Sequence, residues 1–315
     1  MLAGAKTLKP ASGNGGGFYF SCKGTHAETP ELVGDDTFPF LFRRRESLQP
    51  FGLPGGIGES WGSGAMIDFE SIRAGLDAGE FFLEYLPTVS LADGRWIGAE
   101  ALVRWRRSAG VVPPLEFIPL IEGTPGSGLV TYWVIDTLAV EMLGWLRENP
   151  EAQLSVNVPP EILGRGGMEY VAKKAGLFEF MNQLIVEITE RGVPDLMGVE
   201  AINNSWVMGI RVALDDVTFA SGANLAVLAR SNFSILKLDR SLVSQICPTC
   251  PTPEWLAGVT ALLQSSKLMV IAEGVETEEQ FMTLRAAGIQ AGQGFYFSRP
   301  ISAADFLAAY PKNQA

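Results

Sequence analysis

Carboxylate and amide side chains recur at the ends of short apolar segments along most of this sequence. The polar residues that follow these segments are Glu100, Asn157, Glu187, Asp215, Asp216, Lys237, Asp239, Glu273, Glu276 and Gln293. A single acid after a strand is usually a helix cap, but capping would use serine and threonine at least as readily. If the fold brings these carboxylates together at one end of a sheet, they would repel one another unless cations lay among them. The set therefore predicts a cation site.

The donor types indicate which cation this site would hold. Carboxylate and amide oxygens, without histidine or cysteine, suit Mg²⁺ or Mn²⁺. Several shared carboxylates favour two ions about 3.5–4 Å apart, an arrangement that serves in-line displacement at phosphorus. Lys237 could orient or help deprotonate a nucleophilic water, and Arg104 could pair with a phosphate through its planar guanidinium. Taken singly, each is equally well explained as an ordinary surface cation.

The elements that must position these residues follow from the hydrophobic pattern. Short apolar runs typical of buried strands occupy residues 96–99, 154–156, 184–186, 210–214, 235–236 and 268–272. Helix-length amphipathic segments occupy residues 129–147, 195–208, 254–266 and 277–287. This alternation predicts an α/β fold with a parallel sheet covered by helices. Roughly seven or eight such units in about 250 residues fit a (β/α)8 barrel better than a doubly wound sheet. The absence of a G-x-G-x-x-G after the first strand further weakens the doubly wound alternative. In such a barrel the carboxyl ends of all parallel strands meet at one mouth.

Composition limits the classes of function. The 315 residues include 35 acidic and 24 basic side chains, a formal charge of −11, and 47% are hydrophobic. A large buried core is therefore feasible. Binding to a nucleic acid polymer is not expected, because there is no basic surplus to neutralise phosphates.

The cysteines and the apolar segments point to the cytoplasm. Cys247 and Cys250 form one C-x-x-C, Cys22 stands alone, and the chain has a single histidine, His26, and no second C-x-x-C. Two loop thiols in a reducing compartment are therefore favoured over a zinc site. No continuous stretch of about 18 apolar residues predicts a membrane segment. The N-terminus shows no apolar signal core, so we expect a cytoplasmic protein.

The first 65 residues differ from the rest of the chain. They contain the small-residue run 13–17, a basic triplet at 43–45, and Pro50 and Pro54, and no helical or strand period persists there. We therefore expect a loosely structured N-terminal extension or linker over residues 1–65 and a barrel domain over residues 66–315.

Eight ordered segments resemble the EAL domain, the cyclic di-GMP phosphodiesterase family. The resemblance extends from about Ile67 to Tyr310. The matching segments include Glu100-Ala101-Leu102, Pro114–Pro119, Ser155–Val158, Val186–Glu190, Ala213–Asp216, Leu236–Asp239, Ile271–Thr277 and Gln293–Pro300. Three letters spelling EAL would mean little alone, but the ordered set is specific.

The resemblance implies a TIM-like barrel with one antiparallel strand that hydrolyses cyclic di-GMP to linear pGpG with Mg²⁺ or Mn²⁺, and a possible homodimer. By position, the implied metal ligands or supporting acids are Glu100, Asn157, Glu187, Asp215, Asp216, Asp239 and Glu276. Glu273 matches the proposed general base and Lys237 the lysine near the nucleophile. Arg104 matches a phosphate contact, and Gln293 a residue near the nucleophilic water. Glu190 matches the glutamate that anchors the loop after the paired aspartates.

Two departures from the family pattern leave a second function open. After the paired aspartates the family usually has Phe-Gly-Thr-Gly, whereas this chain reads Val-Thr-Phe-Ala-Ser-Gly over residues 217–222 and is longer. Leu86 replaces a polar residue expected near the substrate. A cyclic di-GMP receptor with little turnover is therefore the main alternative to an enzyme. An unrelated metal-dependent barrel, such as an aldolase or enolase-like lyase, would also use acidic rims. It would not explain the ordered motifs.

Overall fold

A closed β-barrel dominates the computed structural model, which describes residues 67–189, 194–218 and 231–314. The N-terminal extension predicted for residues 1–65 lies outside the described residues. In chain order, the strands are β1 Phe81–Ser90, β2 Trp96–Arg107, β3 Gly110–Val112, β4 Gln153–Asn157, β5 Leu184–Thr189, β6 Arg211–Val217, β7 Ile235–Leu238, β8 Met269–Ala272 and β9 Ala291–Gly292. All six predicted strand segments overlap these strands, and the segments 210–214 and 268–272 begin one residue before β6 and β8.

The sheet closes because its first two strands pair with each other. The order β1-β9-β8-β7-β6-β5-β4-β2-β3 is completed by the pairing of β1 with β2, so eight strands form the barrel and β3 extends from β2. Strand β1 is antiparallel to both of its barrel neighbours, β2 and β9, and the remaining barrel pairs are parallel. The structure therefore confirms the TIM-like barrel with one antiparallel strand.

Helices cover the outside of the parallel strands. In the described residues the α-helices are α1 Phe69–Asp77, α2 Pro114–Phe117, α3 Pro125–Glu148, α4 Gly167–Lys174, α5 Leu196–Ser205, α6 Arg240–Val243, α7 Glu254–Ser265, α8 Glu278–Ala286 and α9 Ala303–Ala309. The four helices predicted from periodicity are α3, α5, α7 and α8. Capping explains where α8 begins, because the Thr277 side chain accepts a hydrogen bond from the Gln280 backbone and the Gln280 side chain accepts one in return.

Helix α3 is long and apolar enough to cross a membrane by length and composition. Its mean hydropathy over 18 residues is 1.3, and half of that window is buried inside the protein. Val134, Leu138 and Met142 belong to the main hydrophobic core. A helix that packs against a barrel passes the same test, so this apolar character is accounted for by packing.

Because side chains alternate in direction along each strand, those that face the barrel interior form layers. Lys237, Glu187 and Glu273 lie near the carboxyl ends of their strands. Because side chains two positions apart point the same way, the residues two positions earlier also face inward. Those residues, Ile235, Ile185 and Ile271, form one apolar cluster with Ala213 and Ala291. An apolar layer therefore supports a charged layer at the mouth.

Strands β2 and β4 approach so closely that Gly98 has no room for a side chain. A Cβ atom there would lie 2.3 Å from the carbonyl oxygen of Gln153. We expect Gly98→Ala to lower the free energy of unfolding by about 1–3 kcal/mol, because the backbone of one strand must shift. Urea denaturation checks this. Gly144→Ala in α3 is the control, since open space surrounds that position, and equal stability of the two variants would contradict the expectation.

Candidate active site

A buried lysine lies at the centre of the barrel mouth. The Nζ atom of Lys237 on β7 is 2.7 Å from Glu187 Oε2, 2.7 Å from Glu273 Oε1, 3.1 Å from Glu100 Oε2 and 3.3 Å from Asp215 Oδ1. Its side chain is 0% exposed. Side chains on or directly after five different strands therefore converge as the sequence predicts, and Lys237 and Glu100 alone are 137 residues apart. Glu100 does not follow its strand, as the sequence pattern had suggested, but lies inside β2, which continues to Arg107.

The four carboxylates keep Lys237 protonated. Burial alone would lower the pKa of Lys237, but Asp215, Glu100, Glu187 and Glu273 raise it well above its ordinary value. A protonated ammonium can orient its neighbours but cannot accept a proton. Of the two roles that the sequence analysis assigned to Lys237, this geometry favours orientation over deprotonation.

One ammonium does not neutralise all of these acids. Burial, together with the charge of Glu100, raises the pKa of Glu187 well above its ordinary value. Burial likewise raises the pKa of Glu273 to about 8, against the opposing effect of Lys237. Burial would also raise the pKa of Glu100, but Lys237 and the hydrogen bond from Asn157 hold it below its ordinary value. The raised pKa values mean that these acids are costly to ionise together, and a further cation that took the place of their protons would relieve that cost.

A kink at the end of β6 brings both paired aspartates to the same place. Successive side chains of a regular strand point to opposite faces. Asp216, however, has a φ of 55°, in the left-handed region, and the register of β6 with β7 shifts between Leu214 and Val217. Carboxylate oxygens of Asp215, Asp216 and Glu273 consequently lie within 4.8 Å of one another. These three acids could hold a metal ion.

The donor set at the mouth fits Mg²⁺ or Mn²⁺. Every candidate ligand offers an oxygen, the donor that both ions prefer. Asn157 donates a 2.7 Å hydrogen bond from Nδ2 to Glu100 Oε1, which places its amide beside the cluster. Gln293 is buried and donates from Nε2 to Thr88 Oγ1 at 2.9 Å, and its Oε1 atom has no hydrogen-bond partner among the described residues. A buried oxygen of this kind is available to a water or another donor at the site.

Three other predicted residues have different surroundings. Asp239 caps α6, because its carboxylate accepts a 2.9 Å hydrogen bond from the Ser241 backbone. Glu276 is exposed just before α8. The Arg104 guanidinium donates from Nε to Glu84 Oε2 at 2.8 Å. Their assignments as ligands or substrate contacts stay predictions.

Two predicted features lie outside the described residues, and two side chains near the site were not predicted. Glu190 lies outside the described residues, as does most of the altered loop, residues 219–222. Thr88 and Glu84, which contact predicted site residues, were not singled out from the sequence. Each lies two residues from Leu86 along β1 and so shares its face. The two-residue period of that strand was therefore the signal that could have found them.

The fold and this site define a class of proteins: barrels with one antiparallel strand and a lysine-centred acidic mouth. Residues 70–300 match the EAL domain family, and the chain belongs to that family. This confirms the resemblance and sets aside the unrelated lyase barrel.

Among relatives, the chain is 32% identical over 230 residues to the probable cyclic di-GMP phosphodiesterase PdeB of Escherichia coli, covering 71% of this chain and 43% of PdeB. It is 34% identical over 249 residues to the cyclic di-GMP phosphodiesterase RocR of Pseudomonas aeruginosa, covering 74% of this chain and 60% of RocR. The matched region therefore spans less than two thirds of these relatives.

Solved structures show the same architecture. The PaMucR phosphodiesterase in complex with cyclic di-GMP aligns with a TM-score of 0.67 at 28% identity, covering 75% of this chain and 98% of that one. The cAMP-bound EAL enzyme Bd1971 aligns with a TM-score of 0.68 at 27% identity, covering 77% of this chain and 69% of that one.

Proposed function

We propose that this chain is a metal-dependent phosphodiesterase that hydrolyses cyclic di-GMP to linear pGpG. The observation that carries the proposal is the convergence of Glu100, Glu187, Asp215 and Glu273 on Lys237 at the barrel mouth. Membership of the EAL family supports it, as do relatives named cyclic di-GMP phosphodiesterases.

The proposed ligands are Asp215 and Asp216 together with Glu100, Asn157 and Glu187, and Asp239 and Glu276 are further supporting acids. Glu273, whose carboxylate lies within 4.8 Å of those of Asp215 and Asp216, is kept as the proposed base. When bound there, one or two Mg²⁺ or Mn²⁺ ions supply Lewis acidity toward the phosphodiester and an acidified water. Lys237 keeps the carboxylates close together in the absence of substrate.

Residues of this chain are proposed to bind the phosphate and to accept the proton of the attacking water. Arg104 is proposed to pair with a phosphate oxygen, and the unpartnered Oε1 of Gln293 to accept a hydrogen bond from the attacking water. Glu273 is proposed to take the proton of that water as its oxygen bonds to phosphorus. The bond from phosphorus to the ribose 3′ oxygen breaks, and that oxygen leaves with a proton from solvent.

A cyclic di-GMP receptor with little turnover is the second candidate, and one observation favours it. Leu86 on β1 pairs directly with Glu100 on β2, so an apolar side chain stands where the family usually has a polar one. Loss of that polar contact would change how bound cyclic di-GMP is positioned and so lower turnover, without removing a metal ligand.

A turnover assay separates the two candidates. Purified protein is incubated with cyclic di-GMP and either Mg²⁺ or Mn²⁺, and linear pGpG is measured by chromatography. Product formation supports the enzyme, and tight binding without product supports the receptor. If the protein neither binds cyclic di-GMP nor forms product, both candidate functions are contradicted.

We expect Asp215→Asn to raise the metal concentration needed for half-maximal activity about 10–100-fold, because an amide oxygen is a poorer donor to a divalent cation than a carboxylate. Titration of activity against Mn²⁺ measures this. Asp77→Asn, at an exposed position at the end of α1, is the matched control. An unchanged metal requirement in Asp215→Asn would remove Asp215 from the proposed ligands.

The domain bounds, the cellular location and the oligomeric state of this protein are also proposed. We assign residues 66–315 to the barrel domain and residues 1–65 to an extension or linker, in a cytoplasmic protein. A homodimer is expected from the family resemblance, and size-exclusion chromatography with light scattering tests it.

A further inference from the structure

Glu84 and Arg104 form an ion pair on the ribbon of β1 and β2. Arg104 Nε lies 2.8 Å from Glu84 Oε2, and the two side chains are only 17% and 31% exposed. The guanidinium also donates from Nη1 to the carbonyl oxygen of Val103 at 3.0 Å. Two of its three nitrogens are therefore engaged within the chain.

The pair shares a face with the acidic cluster. Glu84 lies two residues before Leu86, which is directly opposite Glu100, and Arg104 lies four residues after Glu100. Even spacing along a strand places side chains on one face. The distance from Glu100 to Arg104 along β2 is roughly 13 Å, at about 3.3 Å per residue. An anionic ligand that extended from the acidic cluster along β1 and β2 would contact both Arg104 and Glu84.

We infer that Glu84 competes with an anionic phosphodiester for Arg104 and so sets the affinity of the site, an inference that rests on the proposed function. A bidentate grip on phosphate through Nε and Nη2 uses the same edge of the guanidinium that Glu84 occupies. The phosphate must displace this carboxylate or lie beside its negative charge. Both outcomes cost binding free energy, since the pair is partly shielded from water.

Kinetics of Glu84→Gln test the competition. Glutamine keeps the shape of the side chain and an acceptor for Arg104 but removes the charge. We expect KM for cyclic di-GMP to fall about 3–10-fold with kcat changed less than about twofold, because the released binding is made equally with substrate and transition state. Glu116→Gln, at an exposed position on α2, is the control. An unchanged or higher KM would overturn the inference, the latter by showing that the charge of Glu84 holds Arg104 in place.

A second measurement separates this inference from the proposed function. Wild type and Glu84→Gln are titrated with inorganic pyrophosphate in the absence of divalent ions. Tighter binding by Glu84→Gln supports competition at Arg104 even if cyclic di-GMP proves not to be a substrate. Equal affinity, or no binding by either protein, overturns the inference and leaves the turnover assay to decide the function.

Discussion

Lys237→Met is expected to lower the free energy of unfolding by about 3–5 kcal/mol, because removal of one partner leaves buried charges unpaired. Four carboxylates lie within 3.3 Å of the Lys237 ammonium. Without that ammonium they must take up protons or separate. Methionine fills a similar volume, so the loss would report charge and not a cavity. Urea denaturation at pH 7 without divalent ions measures the effect.

Added Mg²⁺ provides an internal check on this expectation. A ligand that binds only the folded state stabilises it by an amount that increases with the ratio of its concentration to its dissociation constant. The divalent ion should therefore restore more stability to Lys237→Met than it adds to wild type, because the variant has lost a competing cation. Lys267→Met, at an exposed position, should change stability little. A loss below about 1 kcal/mol in Lys237→Met would contradict the electrostatic account.

Glu100→Gln is expected to reduce kcat/KM for cyclic di-GMP at least about 100-fold, since loss of even an outer partner of a metal ligand typically costs 10–100-fold. Glu100 contacts both Lys237 and Asn157. Glutamine keeps the size of the side chain but removes the negative charge and presents an amide where Asn157 already donates. Pseudo-first-order formation of pGpG measures the change.

Circular dichroism and a thermal melt show whether the Glu100→Gln protein remains folded. Glu122→Gln, an exposed acid, is the matched control and should retain activity. If a folded Glu100→Gln keeps more than about a tenth of wild-type kcat/KM, Glu100 is not a ligand of the catalytic metal.

Local pattern is enough to predict the barrel and most of its inner charged layer. Each apolar run ends in a polar residue, and a parallel barrel brings such ends together regardless of their distance in sequence. Glu187, Asp215, Lys237 and Glu273 meet for this reason, whereas Glu100 lies inside β2, which continues to Arg107. Strand β1 was not among the apolar runs, although β1 closes the barrel and carries Thr88 and Glu84.

The sequence by itself determined the chemistry of the donors, their order along the chain and the architecture that collects them, because residue type and period are local properties. Tertiary structure decided which atoms meet. The left-handed turn at Asp216 accompanies the register shift between β6 and β7, and only that pairing sets two adjacent carboxylates on one side of a strand. The same is true of Lys237, which is simply a cation in the sequence. Four strands must close around it before their acids raise its pKa and keep its proton in place.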